Sequence, residues 1–154
     1  MGMKKFACFF YGSLMFPKVL LRVLEGGRQK DDGPIVVEEG IPATLKGYKR
    51  LRVLGASYPA LIKDNDSETQ GILIKGLTSG NVSTLDHYEG DQYTRINVEV
   101  FPNNSRDRGQ SEDLISAQTY LWISSSDFLE DQDWDKEEFE KQLENYLREE
   151  GLKD

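Results

Sequence analysis

The chain has 154 residues, 38% of them hydrophobic, and a formal net charge of -8. That length fits one domain over residues 1–154, large enough to bury about two-thirds of the surface its unfolded chain exposes. The acidity excludes the broad basic face that a nucleic acid or an anionic membrane demands, so neither is expected as a partner.

Lys5 to Phe10 is short, apolar and bounded by Gly12, the pattern of a buried strand. It contains the only cysteine, Cys8, between Ala7 and Phe9, which reads as a small buried hydrophobe in a reducing, cytoplasmic compartment. The apolar stretch Phe6 to Phe10 is too short for a signal-peptide core, and no apolar run reaches the ~18 residues of a membrane span. Pro17 can open a helix whose apolar face is Val19, Leu20, Val23 and Leu24, ending at Gly26-Gly27, with a loop over residues 26–34.

Val36 through Leu54 is rich in β-branched residues and is interrupted at Gly40-Ile41-Pro42 and Lys46-Gly47-Tyr48, which predicts two strands. Tyr58 to Ile62 and Gly71 to Ile74 flank the polar run Asp64-Asn65-Asp66-Ser67, the pattern of an antiparallel hairpin. Thr78 or Ser79 can cap a short helix through Leu85 and Tyr88, closed by Gly90. Ile96, Val98 and Val100 alternate with polar residues as in a half-buried strand, and Asn103 to Asp113 is a polar loop. Ala117 to Ile123 predicts another strand, with Tyr120 and Trp122 on one face. Phe139, Leu143, Tyr146 and Leu147 keep helical spacing behind an Asp135/Glu138 capping box and before Gly151, and the acidic side chains around them read as a solvated face.

Two short stretches carry the chemistry. Tyr11-Gly12-Ser13-Leu14 ends the first strand in a turn that can present backbone N–H groups to an anion, and Gly12 can take up positive φ and admit a ligand closely. Glu89 is one of 27 acidic residues, and surface solvation is the default for any of them. It differs in standing between Tyr88 and Gly90 on an apolar segment, where burial would raise its pKa into the range of a general base. Tyr93 and Tyr120 are either core residues with a bonded hydroxyl or pocket walls, and Arg95 reads as an internal salt-bridge partner. Ser13 with His87, the only histidine, lacks the second glycine of a nucleophile elbow. Asp64-x-Asp66-x-Glu68 begins like a calcium loop but has Thr69 and Lys75 where Gly and Glu are required, so no metal site is expected.

Taken together, Tyr11-Gly12-Ser13-Leu14 and Leu85-Asp86-His87-Tyr88-Glu89-Gly90 resemble the gamma-glutamyl cyclotransferase-like family, which includes the avirulence-induced proteins of plants. The likeness extends through Thr44 to Tyr48, Tyr58 to Leu61, Gly71, Tyr93, Arg95 and Tyr120-Leu121-Trp122, and the acidic tail around Trp134 and Phe139 resembles the plant and fungal branch. The resemblance implies an α+β fold, a small twisted, mainly antiparallel β-barrel of about six strands with helices packed outside. It implies that Glu89 is the acid/base, that Tyr11, Gly12, Ser13 and Leu14 cradle the substrate's glutamyl head, and that Tyr93 and Tyr120 line the pocket.

The reaction so implied is an intramolecular acyl transfer. A gamma-glutamyl amide folds so that its own α-amine attacks the γ-carbonyl, releasing 5-oxoproline and an amine or amino acid. Nucleophile and electrophile are already tethered, so positioning supplies much of the acceleration and no cofactor is required. The partner implied is therefore a small gamma-glutamyl molecule. A binding protein without turnover on the same fold, or an enzyme for another small amide, stays open at this point, and the pattern carries no signal for an oligomeric state.

Overall fold

The structure is a computed structural model that describes residues 5–28, 34–103 and 114–146. Strand β1 (Phe6–Phe10) leads through a 3₁₀ turn (Ser13–Met15) into helix α1 (Pro17–Gly26). Strands β2 (Ile41–Val53) and β3 (Pro59–Leu77) follow, then helix α2 (Ser79–Glu89) and strand β4 (Tyr93–Pro102). Strand β5 (Ile115–Trp122), the short β6 (Leu129–Glu130) and helices α3 (Lys136–Lys141) and α4 (Leu143–Tyr146) complete the order.

The strands run β3-β1-β5-β4-β2-β6, and β3 also pairs with β2. That second pairing closes five strands into a barrel and leaves β6 as an extension beside β2. All pairings are antiparallel except β1 with β5, which is parallel with Cys8 opposite Gln118. The expected α+β barrel is thus present, with the helices outside it.

Period-two alternation along β1 sorts its side chains between two cores. Phe9 joins Leu45, Leu61, Leu73, Val98 and Val100 in one cluster drawn from the strands. Cys8 and Phe10 join Leu20 and Leu24 of α1 and Leu85 of α2 in the other, between barrel and helices. Both helices start and stop where their end residues dictate. Pro17 opens α1, and Thr78 caps α2 reciprocally: Thr78 Oγ1 accepts from Asn81 N at 3.0 Å and Asn81 Oδ1 accepts from Thr78 N at 3.0 Å. Gly90, at φ 80°, turns the chain out of α2.

Three expectations are corrected. Residues 36–54 do not make two strands: Ile41–Val53 is a single strand with a bulge at Gly47, whose φ of 89° bends the ladder without ending it. Pro42 fits because it sits near the start of the strand and pairs through its carbonyl, which accepts from Asn103 N at 2.8 Å. Nor do the segments around Asp64–Ser67 form a hairpin with each other. The turn chemistry is there, with Asp64 accepting from Asp66 N at 3.1 Å and Ser67 Oγ at 2.9 Å. The chain nevertheless continues in the same direction, because Lys63 faces Tyr48 and Glu68 faces Lys46, so the polar run is an excursion opposite Gly47 within one 19-residue strand. The real hairpin is β2 with β3.

The C-terminal helix is the third correction. Asp135 caps it through Glu138 N at 3.0 Å, but it breaks at Gln142 into α3 and α4. Phe139, the anchor, packs its ring 5.3 Å from Phe16 and 5.5 Å from Trp134, and with one buried anchor in α3 a single longer helix gains little from packing. Leu147, Gly151 and most of the predicted 103–113 loop lie outside the described residues. Among the described residues no helix is long and apolar enough to cross a membrane.

Closure leaves no room at Gly71, where an added Cβ would run into the Phe10 carbonyl and lie 2.6 Å from the Phe9 ring. Gly71→Ala is expected to destabilise the protein by about 1–3 kcal/mol through overpacking, read as a lower midpoint in chemical denaturation.

Candidate active site

The C-terminal ends of β1 and β5, the start of β4 and the end of α2 meet around a cavity of roughly 200 Å³. One wall is the turn Tyr11 to Leu14, a second is Ser57 to Pro59, a third is Tyr88, Glu89, Gln92 and Tyr93, and Tyr120 comes from β5. All seven residues proposed from the sequence, Tyr11, Gly12, Ser13, Leu14, Glu89, Tyr93 and Tyr120, therefore line one cavity.

Asp86 and Glu89 are three apart on α2 and so share a face, yet their surroundings differ. Asp86 is gripped by Arg95, Nε to Oδ1 at 2.9 Å and Nη2 to Oδ2 at 3.2 Å, and accepts the Tyr120 hydroxyl at 2.7 Å. The expected internal salt bridge of Arg95 is this one. Glu89 is half-buried as a residue, but its carboxyl end is shielded from water. That desolvation, with a smaller repulsion from Asp86, pushes its pKa up to about 8.

Three of the five tyrosines that line the cavity, Tyr11, Tyr93 and Tyr120, have committed their hydroxyl protons. Tyr11 donates to the Tyr120 carbonyl at 2.7 Å, Tyr93 to the Pro59 carbonyl at 2.6 Å, and Tyr120 to Asp86. Burial raises the pKa of all three above the ordinary phenol value. Each oxygen keeps only acceptor capacity, so these groups suit a cation rather than an anion. Donors come instead from the turn. Its first internal bond is Met15 N to Gly12 O at 2.9 Å, so the N–H groups of Ser13 and Leu14 precede it and have no acceptor within the turn.

Gly12 departs from expectation in one respect. Its φ is -130°, so positive φ is not what requires glycine here. The requirement is close approach: an added Cβ would lie 2.6 Å from Cδ and 2.7 Å from Cγ of Pro59 on the facing wall. Ser13 and His87 form no catalytic pair, because His87 is exposed and lies outside the cavity lining. Burial pushes the Cys8 thiol up to about 12 and leaves it a packing residue. Among the described residues no three His, Cys, Asp or Glu side chains cluster to hold a metal ion.

Sequence reasoning assigned no role to the Ser57–Pro59 wall, Tyr88 or Gln92. Tyr58 and Tyr88 are 38% and 37% exposed and stand at the cavity. The one available signal was the Tyr-Pro pair at 58–59, large and rigid next to a strand start.

The sequence profile of a family described as gamma-glutamyl cyclotransferase, AIG2-like, matches residues 8–136. AIG2-like protein B of Arabidopsis thaliana is 31% identical over 133 residues, which is 86% of this chain and 68% of that protein. AIG2-like protein C of the same plant is 30% identical over 138 residues, 90% of this chain and 71% of the relative. A solution structure of an Arabidopsis thaliana protein superposes with a TM-score of 0.66 at 26% identity, covering 97% of this chain and 89% of the other. A structure named gamma-glutamyl cyclotransferase superposes with a TM-score of 0.62, covering 97% and 82%, and at 16% identity its likeness is one of fold.

The Glu89 shift has a consequence for stability. The unfolded chain ionises this carboxyl near 4.5 and the folded one near 8, so the neutral form's stabilisation is complete below the first value and is lost as pH rises through the second. Glu89→Gln is therefore expected to raise the thermal midpoint relative to the parent by more at pH 9 than at pH 6, read by differential scanning calorimetry.

Proposed function

The chain belongs to the gamma-glutamyl cyclotransferase, AIG2-like family, and from that premise we propose that it is an enzyme converting a gamma-glutamyl amide or peptide to 5-oxoproline and a free amine or amino acid. The observation that carries this reading is Glu89, a carboxyl desolvated to a pKa of about 8 in a cavity that the Tyr11 to Leu14 turn also lines. Residues 1–154 act in this reading as one catalytic domain, and the buried, unpaired Cys8 suits a reducing cytoplasm.

The substrate head is a zwitterion and needs two kinds of partner. Its α-carboxylate takes the N–H groups of the Tyr11 to Leu14 turn, and its α-ammonium takes Glu89 and the acceptor oxygens of Tyr93 and Tyr120. Glu89 as carboxylate removes a proton from the ammonium, and the freed amine attacks the γ-carbonyl carbon to form a tetrahedral oxyanion. With the hydroxyl protons of Tyr11, Tyr93 and Tyr120 committed, the oxyanion in this reading is stabilised by backbone donors. Collapse breaks the bond to the leaving nitrogen as Glu89 returns the proton to it, and Glu89 then carries a second proton from the cationic ring nitrogen to the released amine, which departs as an ammonium. Of the three ammonium protons one stays on the lactam nitrogen and two leave on the amine, so the carboxyl is regenerated as it began.

A screen of gamma-glutamyl amino acids, gamma-glutamyl-lysine, glutathione and simple amides for 5-oxoproline release tests the activity. On the best substrate Glu89→Gln is expected to lower turnover by about 100-fold or more. The profile of kcat/KM against pH should show an acid limb near pH 8, because the free enzyme must lose the Glu89 proton to act as base. Near-normal turnover of the variant would sink the assignment.

The turn gives a second, independent expectation. Gly12→Val drives a branched side chain into Pro59 and should abolish 5-oxoproline release, whereas Ser13→Ala keeps its backbone donor and should retain substantial activity. A folded but inactive Ser13→Ala protein beside an active Gly12→Val protein would point instead to an acyl-enzyme on Ser13.

A further inference from the structure

Arg50 lies on β2, outside the cavity lining, and had no role in the sequence reading. Its guanidinium side chain is only 14% exposed, and all of its nitrogens are engaged. Nη1 donates to the Tyr11 carbonyl at 2.9 Å and to the Gln70 carbonyl at 3.3 Å. Nε and Nη2 grip Asp133 at 2.8 and 3.2 Å, and the guanidinium carbon lies 5.5 Å from the centre of the Trp134 ring. The Trp134 indole N–H in turn donates to the Ser57 carbonyl at 2.8 Å, on the wall facing the turn.

The bond to the Tyr11 carbonyl has a stereochemical consequence. In a trans peptide the C=O and the following N–H point in opposite directions across a rigid plane. With its carbonyl drawn to Arg50, a residue outside the cavity lining, the Tyr11–Gly12 peptide aims the N–H of Gly12, a lining residue, away from Arg50. Rotated the other way, the same peptide would present its carbonyl oxygen, and an anion there would meet repulsion.

We infer that Arg50 is the positioning residue of the substrate-carboxylate receptor, fixing the Tyr11–Gly12 peptide so that its N–H faces the cavity, with Asp133 and Trp134 holding the guanidinium in place. This rests on the proposed use of the turn as carboxylate receptor. Arginine suits the task because its planar fork serves a carbonyl and a carboxylate at once, which a single ammonium does not.

The test uses the intact protein and two probes, 5-oxoproline and its uncharged carboxamide, with the Gly12 amide followed by NMR during each titration. Arg50→Met is expected to bind the acid about tenfold more weakly, the scale of one charge-assisted hydrogen bond. It should bind the carboxamide within about twofold of the parent, and the Gly12 amide should lose its acid-specific shift. A merely structural role would weaken both probes alike, and that result overturns the inference, as does a parental preference for the acid in the variant. A parent with no preference for the acid overturns it too. Where Arg50→Met fails to fold, Arg50→Lys carries the test: its ammonium, drawn to Asp133, leaves the Tyr11 carbonyl unpinned, and parental selectivity in that protein overturns the inference. Turnover is a separate reading. A parent that binds the acid selectively through Gly12 yet releases no 5-oxoproline from any gamma-glutamyl compound would lose the catalytic proposal and keep this one.

Discussion

Everything around the cavity depends on β3 being hydrogen-bonded on both of its edges. Leu73 faces Phe9 on one side and Ile41 on the other, and Ile72 faces Phe10 and Pro42. A strand so shared has no free edge over that stretch, and the sheet must curve until it closes. Closure puts β1 beside β5 in parallel, so that Thr119 Oγ1 reaches the Phe9 carbonyl at 2.8 Å and Tyr11 reaches the Tyr120 carbonyl. The turn that follows β1 is thereby fixed against the strand carrying Tyr120, although the two are 109 residues apart in the chain. The glycine at 71 belongs to the same constraint, since only a residue without Cβ lets β3 pass so close to Phe9 and Phe10.

Within that frame two carboxylates on one helix face are set apart by their neighbours. Asp86 has a bidentate arginine and a phenol and serves as an anchor. Glu89 has no cationic partner among the described residues, and loss of water dominates its chemistry. The same Asp86 orients Tyr120 and adds a like charge near Glu89, so a single side chain contributes both geometry and proton affinity to the site. Tyr93 repeats the theme at the other wall, its hydroxyl tied to Pro59 and its ring edge-on to Trp122 at 5.2 Å. Aromatic walls whose polar tips are already satisfied stay rigid, and rigid walls keep a small cavity open beside a desolvated acid.

The segment after β6 belongs to the same architecture. Trp134 and Asp133 reach the two opposite walls through Ser57 and Arg50, and Phe139 packs on Phe16 behind the turn. The acidic surface of this region reads on its own as a solvated face, whereas its buried aromatic residues brace the cavity.

Local signals determined much of this protein from sequence alone. The strand ending at Gly12, Pro17 opening a helix, the Thr78 cap, Gly90 as helix stop and the alternating strand through Val100 each rest on neighbours a few residues apart, and each is where the pattern placed it. The two motifs that carry the resemblance likewise hold five of the seven proposed site residues that line the cavity, and the wider likeness adds Tyr93 and Tyr120. Tertiary structure decided what depends on distant partners. Gly47 and Asp64–Ser67 look like strand ends, and only their mutual pairing shows a bulge facing an excursion within continuous strands. Gly12 is glycine because Pro59 lies against it, and that neighbour is invisible along the chain. Arg50 and Trp134 reach the cavity walls across 39 and 77 residues. Local rules cover turns, caps and periodicity because those interactions close within a few bonds. A barrel's closure and the desolvation of a carboxyl are set by which remote surfaces meet.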